Sequence, residues 1–198
     1  KSTDPDTAAP DLRRGLDIAF EYRHIPDAGL TLNLLESGSV GITGRRAETV
    51  PFTLSLLAQL AAFHAPTELS LYVFASRATY RLWGWTRWLP HTSASQSGGF
   101  PDNIAFHDDD IRNQMAELAQ RLEQRRDNKD STDRSLIVVL IDNLSAVKQE
   151  VAFDAIIRGH ALGVVSLCLV DQVSDVPGDC GAIIQIEKGR FTAELTGP

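Results

Sequence analysis

Three places in this 198-residue chain set polar residues directly behind apolar, strand-like runs. Such strand ends are where parallel α/β folds gather their chemistry. The first is Val40-Gly-Ile-Thr-Gly-Arg-Arg-Ala-Glu-Thr-Val50. A loop that cradles phosphates needs glycines to expose its N–H groups, a lysine for the outer phosphates and a hydroxyl for Mg²⁺. Gly41, Gly44 and Thr49 fit that need, but no lysine follows. The four lysines of the chain are Lys1, Lys129, Lys148 and Lys188, all elsewhere. Arg45 and Arg46 are the cations at this turn. Arginine clamps phosphate bidentately, yet its branched head does not fit an enclosed lysine position. An ordinary strand-to-helix turn with surface arginines is the competing reading.

The second place is Leu136-Ile-Val-Val-Leu-Ile-Asp-Asn143. An apolar strand ending in Asp is the pattern in which the carboxylate holds Mg²⁺, usually through water. The next position then normally carries an acid that activates the attacking water, and Asn143 cannot accept that proton. Asp-Asn after a strand also starts turns, so the motif alone is weak. The third place is Val164 to Gln172, where the terminal Gln172 stands either as a γ-phosphate sensor or as a solvated strand end. A degenerate nucleotide site would thus draw on Gly41, Gly44, Arg45, Arg46, Thr49, Asp142, Asn143 and Gln172, with Asp142 as the Mg²⁺ ligand.

The elements that must position these residues are legible in the pattern. Residues 1–14 are polar, acidic and Pro-containing, and read as a linker or arm ahead of one domain over 15–198. Alternation over 15–23 and 29–35 suggests two short strands, and Val40–Thr43 a third. Thr49 as N-cap and Pro51 in the first turn predict a helix, with Phe52, Leu56, Leu57, Leu60 and Phe63 on its apolar face. Strands follow at Leu69–Phe74 and Ile104–Phe106, and a Ser/Gly loop runs from Thr92 to Gly99. Asp108-Asp-Asp110 opens a helix over Ile111–Arg126, acidic at its start and basic at its end, as the helix dipole prefers. The acidic triplet is a charge cluster at a helix start before it is a metal site. Leu136–Ile141 and Val164–Val170 are β-branched and apolar on both faces, as buried parallel strands are. A helix is expected over 147–162. Lys188-Gly-Arg190 joins two final strands as a hairpin. Strands alternating with helices predict an α/β sandwich of three layers with a mostly parallel sheet and a C-terminal hairpin.

Composition narrows the function classes. The chain is 43% hydrophobic and 23% charged, with a net charge of −7. An acidic surface is a poor partner for a phosphate backbone, so no nucleic acid is expected. Cys168 and Cys180 are too few for a disulfide framework and lack metal-ligand spacing. The scattered histidines offer no hydrolase triad. No apolar run approaches the ~20 residues of a spanning helix, and there is no signal-peptide pattern. Beginning at Lys1, the chain reads as a piece of something larger.

Trp83-Gly-Trp-Thr-Arg-Trp-Leu-Pro-His91 holds all three tryptophans. Trp83, Trp85 and Trp88 follow no single helical stripe, so the segment is irregular. It fills a satellite core or, with Leu89, Pro90 and His91, offers a docking surface. This stretch resembles one in the membrane-proximal domain of the type VII secretion ATPases, EccC and EssC. The runs Phe52–Pro66, Glu68–Phe74 and Arg158–Gln172 are similar to segments of FtsK/SpoIIIE-type motor domains, and the match keeps its order from Gly29 to Glu187. The resemblance implies a P-loop NTPase (RecA-like) fold with a degenerate site. It implies a catalytically silent module on the cytoplasmic side of an inner-membrane-anchored protein, with ATP and Mg²⁺ as its possible cofactors. The partners implied are other domains of the same motor, membrane-complex subunits of a secretion system and further copies in an oligomer. A slow or trans-completed ATPase using arginine for lysine is the alternative, and a DNA-translocase module the weaker one.

Overall fold

A strand that is apolar on both faces must be covered on both, and this requirement organises the molecule. The computed structural model describes residues 32–93, 103–127 and 135–196. Within them a seven-stranded sheet has the order β3-β2-β4-β5-β1-β6-β7. Its strands are β1 (Val40–Gly44), β2 (Leu69–Phe74), β3 (Ile104–Ala105), β4 (Leu136–Ile141), β5 (Val164–Val170), β6 (Ala182–Glu187) and β7 (Arg190–Leu195). All pair in parallel except β6 with β7. The helices are α1 (Leu34–Ser37), α2 (Arg46–Phe63), α3 (Tyr80–Trp83), α4 (Asp108–Asp127), α5 (Leu144–Val147) and α6 (Phe153–Ile157).

Alternation along β2 and β4 divides the core in two. Leu69, Leu71, Val73, Val138 and Leu140 face α2 and Trp83 in one apolar cluster. Tyr72, Phe74, Ile137, Val139 and Ile141 face Ile111, Met115, Leu118 and Leu122 of α4 in the other. The three-layer sandwich and the strands β1, β2, β4 and β5 are thus as the pattern predicted. The hairpin is as predicted too: Lys188 and Gly189 both have positive φ, 51° and 75°, which suits the twist of a two-residue turn.

Four local expectations are corrected. Helix α2 begins at Arg46, not at Thr49, because the chain turns directly out of β1 at Gly44 and a salt bridge from Arg45 to Glu48 holds the first turn. Pro51 then lies inside the helix, near its N-terminus, where it forfeits one bond, to the exposed Ala47. The expected apolar face holds except at its end: Leu57 is buried and Phe52, Leu56 and Leu60 pack against the core, alongside buried Thr49, Val50 and Thr53, whereas Phe63 is 81% exposed. The helix expected over 147–162 is broken into α5, α6 and a 3-10 turn at Gly159–Leu162. Val147 and Ile156 are both fully buried. Nine residues apart, about two and a half turns, they would lie on opposite faces of one continuous helix. Within the expected strand over 29–35, Leu34 opens the single helical turn α1, capped by the Asn33 side chain. The expected arm 1–14 and strand 15–23 lie outside the described residues, as do residues 94–99 of the Ser/Gly loop.

Gly44 carries the sharpest backbone constraint. Its φ is 136°, and a Cβ there would run into the Ile186 carbonyl oxygen of β6. Gly189, also at positive φ, has open space around it. Gly44→Ala is expected to cost about 3 kcal/mol of stability and Gly189→Ala about 1 kcal/mol, both read from urea unfolding midpoints. Equal losses would show that steric contact with β6 is not what selects glycine at position 44.

Candidate functional site

The carboxyl ends of β1, β4 and β5 converge as the topology requires. Asp142 follows β4, and its backbone N–H donates to the Phe74 carbonyl at 2.8 Å, fixing it beside β2. Its side chain is fully buried. A buried carboxylate without partners costs several kcal/mol, so its partners define the site. Arg46, in the first turn of α2, grips it bidentately: Nη1 donates to Oδ1, and Nη2 donates to Oδ2 at 2.9 Å. Trp83 Nε1 donates to Oδ2 at 2.6 Å from the other side. Trp83 is itself completely buried. The Arg46 hydrogen bonds to Asp142 hold its guanidinium above its ordinary pKa, against the opposing effect of its partial burial.

The other candidates are not assembled around a phosphate. Gly41 lies within β1, paired with Cys168 and Ile183, and a Cβ on it would meet Val176 at 2.6 Å. It is a packing glycine. A single residue, Arg45, separates Gly44 of β1 from Arg46 of α2. A Gly-x₄-Gly-Lys cradle needs several loop residues there, so no ring of free N–H groups forms. Arg45 donates to Glu48 at 3.0 and 3.2 Å. Arg45 also holds the Glu48 carboxyl below its ordinary range. Glu48 in turn accepts from the Gly189 N–H of the hairpin at 3.3 Å. Thr49 is buried, and its carbonyl accepts from the Thr53 hydroxyl. Asn143 caps α5, accepting from the Ala146 N–H and the Ser145 hydroxyl. Gln172 is exposed at the rim of a cleft of about 610 Å³ with Arg45, Arg46, Lys188, Glu48, Asp171 and Glu187 among its walls. Three cations against three carboxylates give that cleft no field for a polyphosphate.

Nucleotide and Mg²⁺ therefore do not fit the residues present: both oxygens of the acid are committed within the chain, and the cradle is missing. Among the described residues no group of three or more His, Cys, Asp or Glu gathers as a metal site. Asp108, Asp109 and Asp110 form the acidic first turn of α4. The Trp segment is irregular, as expected. Trp83 belongs to the core, Trp85 is half-buried and Trp88 is 82% exposed. Leu89 packs against the core and Pro90 is exposed. His91 is buried, with Nε2 donating to the His64 carbonyl at 2.9 Å. The link from Trp83 to Asp142 spans 59 positions and leaves no mark in local spacing. Nor does the pairing of Arg46 with Asp142, beyond the presence of an arginine where a lysine is missing.

Breaking this cluster has a graded signature. Arg46→Met strands a buried anion and is expected to cost about 3 kcal/mol, and Asp142→Asn about 1 kcal/mol, since an amide oxygen still accepts from Trp83. The double variant should be more stable than the sum of the two losses implies, by about 2 kcal/mol. Simple additivity in unfolding free energy would show that the pair is not coupled.

No protein-family model matches the chain. Over 68 residues, 34% of this chain and 5% of the relative, it is 32% identical to the ESX secretion system protein EccC of Thermomonospora curvata. The chain therefore matches only a small part of that relative's length. The fold matches EssC (ATPases 2 and 3) from Geobacillus thermodenitrificans with a TM-score of 0.62 and 22% identity, over 80% of this chain and 33% of that one. It also matches Thermomonospora curvata EccC (ATPases 2 and 3), in complex with a signal sequence peptide, with a TM-score of 0.59 and 17% identity over 81% and 34%. These are P-loop NTPase-type folds. Over about a third of its sequence the chain is thus similar to EccC type VII secretion proteins, and it has the fold of the EssC and EccC ATPase domains.

Proposed function

We propose that this chain is a catalytically silent ATPase-type module of a type VII secretion, FtsK/SpoIIIE-like motor. It couples membrane segments to active ATPase modules through protein–protein contacts, from the cytoplasmic side of the membrane. One observation carries this reading: the acid that would hold Mg²⁺ is neutralised within the chain by Arg46 and hydrogen-bonded by Trp83. Arg46 is the obvious substitute for the missing lysine, and its guanidinium is already engaged. Arg45, the other substitute, is paired with Glu48 on the surface. Support for a role in contacts comes from Trp88, a large side chain held out to solvent on an otherwise anchored segment. Its neighbours in the motor and the membrane complex are the partners proposed. Among the described residues no helix is long and apolar enough to cross a membrane.

Titration of the purified chain with a fluorescent ATP analogue, with and without Mg²⁺, is expected to show no saturable binding below the millimolar range. Parallel assays should detect no phosphate release. Saturable, Mg²⁺-dependent binding that Asp142→Asn abolishes would overturn the reading, because Asp142 would then hold a metal despite Arg46.

A further inference from the structure

A second cleft, of about 530 Å³, opens at the ends of β2 and β3, with Arg77, Tyr80, Arg81, Phe106, His107 and Asp110 among its walls. Its aromatic platform is built rather than incidental. The Tyr80 ring meets the Phe106 ring edge-on at 4.9 Å. Arg87 lies over it at 5.9 Å from the centroid and donates to its hydroxyl at 2.9 Å. Gly84 lets the backbone approach the ring closely, since a Cβ there would sit 3.0–3.2 Å from three ring carbons. Tyr80 is nevertheless 41% exposed. Arg77 and Arg81, from two successive short helical turns, flank it in the chain, and among the described residues no ion pair or hydrogen bond engages either guanidinium. Other arginines near the strand ends are engaged: Arg45 with Glu48, Arg46 with Asp142, and Arg112 with Asp109 and Glu150.

We infer that this cleft binds an acidic peptide segment of a partner protein in extended conformation. Arg77 comes from the 3-10 turn Arg77–Thr79 and Arg81 from α3, four positions on, and both line the cleft on either side of Tyr80 in the chain. Alternate side chains of an extended chain repeat at about 7 Å on one face, so two carboxylates at alternate positions meet the two guanidinia. Single-stranded nucleic acid fits less well. Gly84 and Arg87 crowd the Tyr80 ring faces that a base would stack on.

The test uses fluorescence anisotropy of the whole chain with a labelled Asp-Val-Asp-Val-Asp peptide, its Asn-Val-Asn-Val-Asn counterpart and an oligothymidine strand. The acidic peptide is expected to bind, more weakly as salt rises, and the amide peptide at least tenfold more weakly. Arg77→Ala and Arg81→Ala should each weaken binding about tenfold, while Arg126→Ala, on the exposed last turn of α4, leaves it unchanged. Thermal melting of each variant separates lost binding from lost folding. Equal binding of the amide peptide, insensitivity to both arginine variants, tighter binding of the oligothymidine, or no binding at millimolar peptide would each overturn the inference. None of these outcomes bears on whether nucleotide binds at Asp142.

Discussion

The structure turns on one buried carboxylate. Asp142 ends a central strand, with its side chain fully withdrawn from water, and a charge in that position must be matched where it stands. Arg46 matches the charge, and Trp83 occupies a remaining lone pair. Because these partners come from the first turn of α2 and the end of α3, a single electrostatic demand ties three otherwise separate segments together at the carboxyl end of the central strand β4. The rest of the site follows from it. A guanidinium committed to Asp142 is not free for phosphate, and a carboxylate with both oxygens engaged is not free for Mg²⁺, which binds through carboxylates and retains waters.

A tethered cation and a diffusible one compete for the same acid on unequal terms. Arg46 is delivered by the helix it belongs to and loses little freedom on binding, whereas a divalent ion must be captured and partly dehydrated. The backbone reinforces that outcome. With only Arg45 between β1 and α2, the N–H groups that would cradle phosphates are drawn into the helix, where Glu48 and Thr49 donate to the Arg45 carbonyl. Gly44 keeps its special conformation because β6 leaves no room for a side chain, a packing reason rather than a ligand-binding one. The motif's glycines thus persist in a role that serves the sheet.

The Trp segment shows how one stretch divides its side chains between core and surface. Trp83 is inside and bonded to Asp142, His91 is inside and bonded to the end of α2, and Trp88 stands in solvent between these two anchors. Short helical turns, rather than one helix, make this possible, because each turn reorients the chain. The same device places Tyr80, Arg77 and Arg81 around the second cleft.

By itself the sequence determined the layered α/β architecture, the four core parallel strands and the hairpin. Those features follow from local periodicity: apolar β-branched runs must be covered on both faces, and Lys188-Gly189 closes a turn whatever surrounds it. It also marked the missing lysine and Asn143, since an absent side chain is visible without coordinates. Its errors fell where distant partners decide. The start of α2 depended on Gly44 against β6, and the break after Val147 depended on two buried residues that no single helix could serve. The fate of Asp142 was settled by residues 96 positions upstream for Arg46 and 59 for Trp83. Only tertiary structure decided that the acid is sealed, because charge pairing in a buried site is a property of neighbours in space, and nothing in local spacing encodes which arginine arrives.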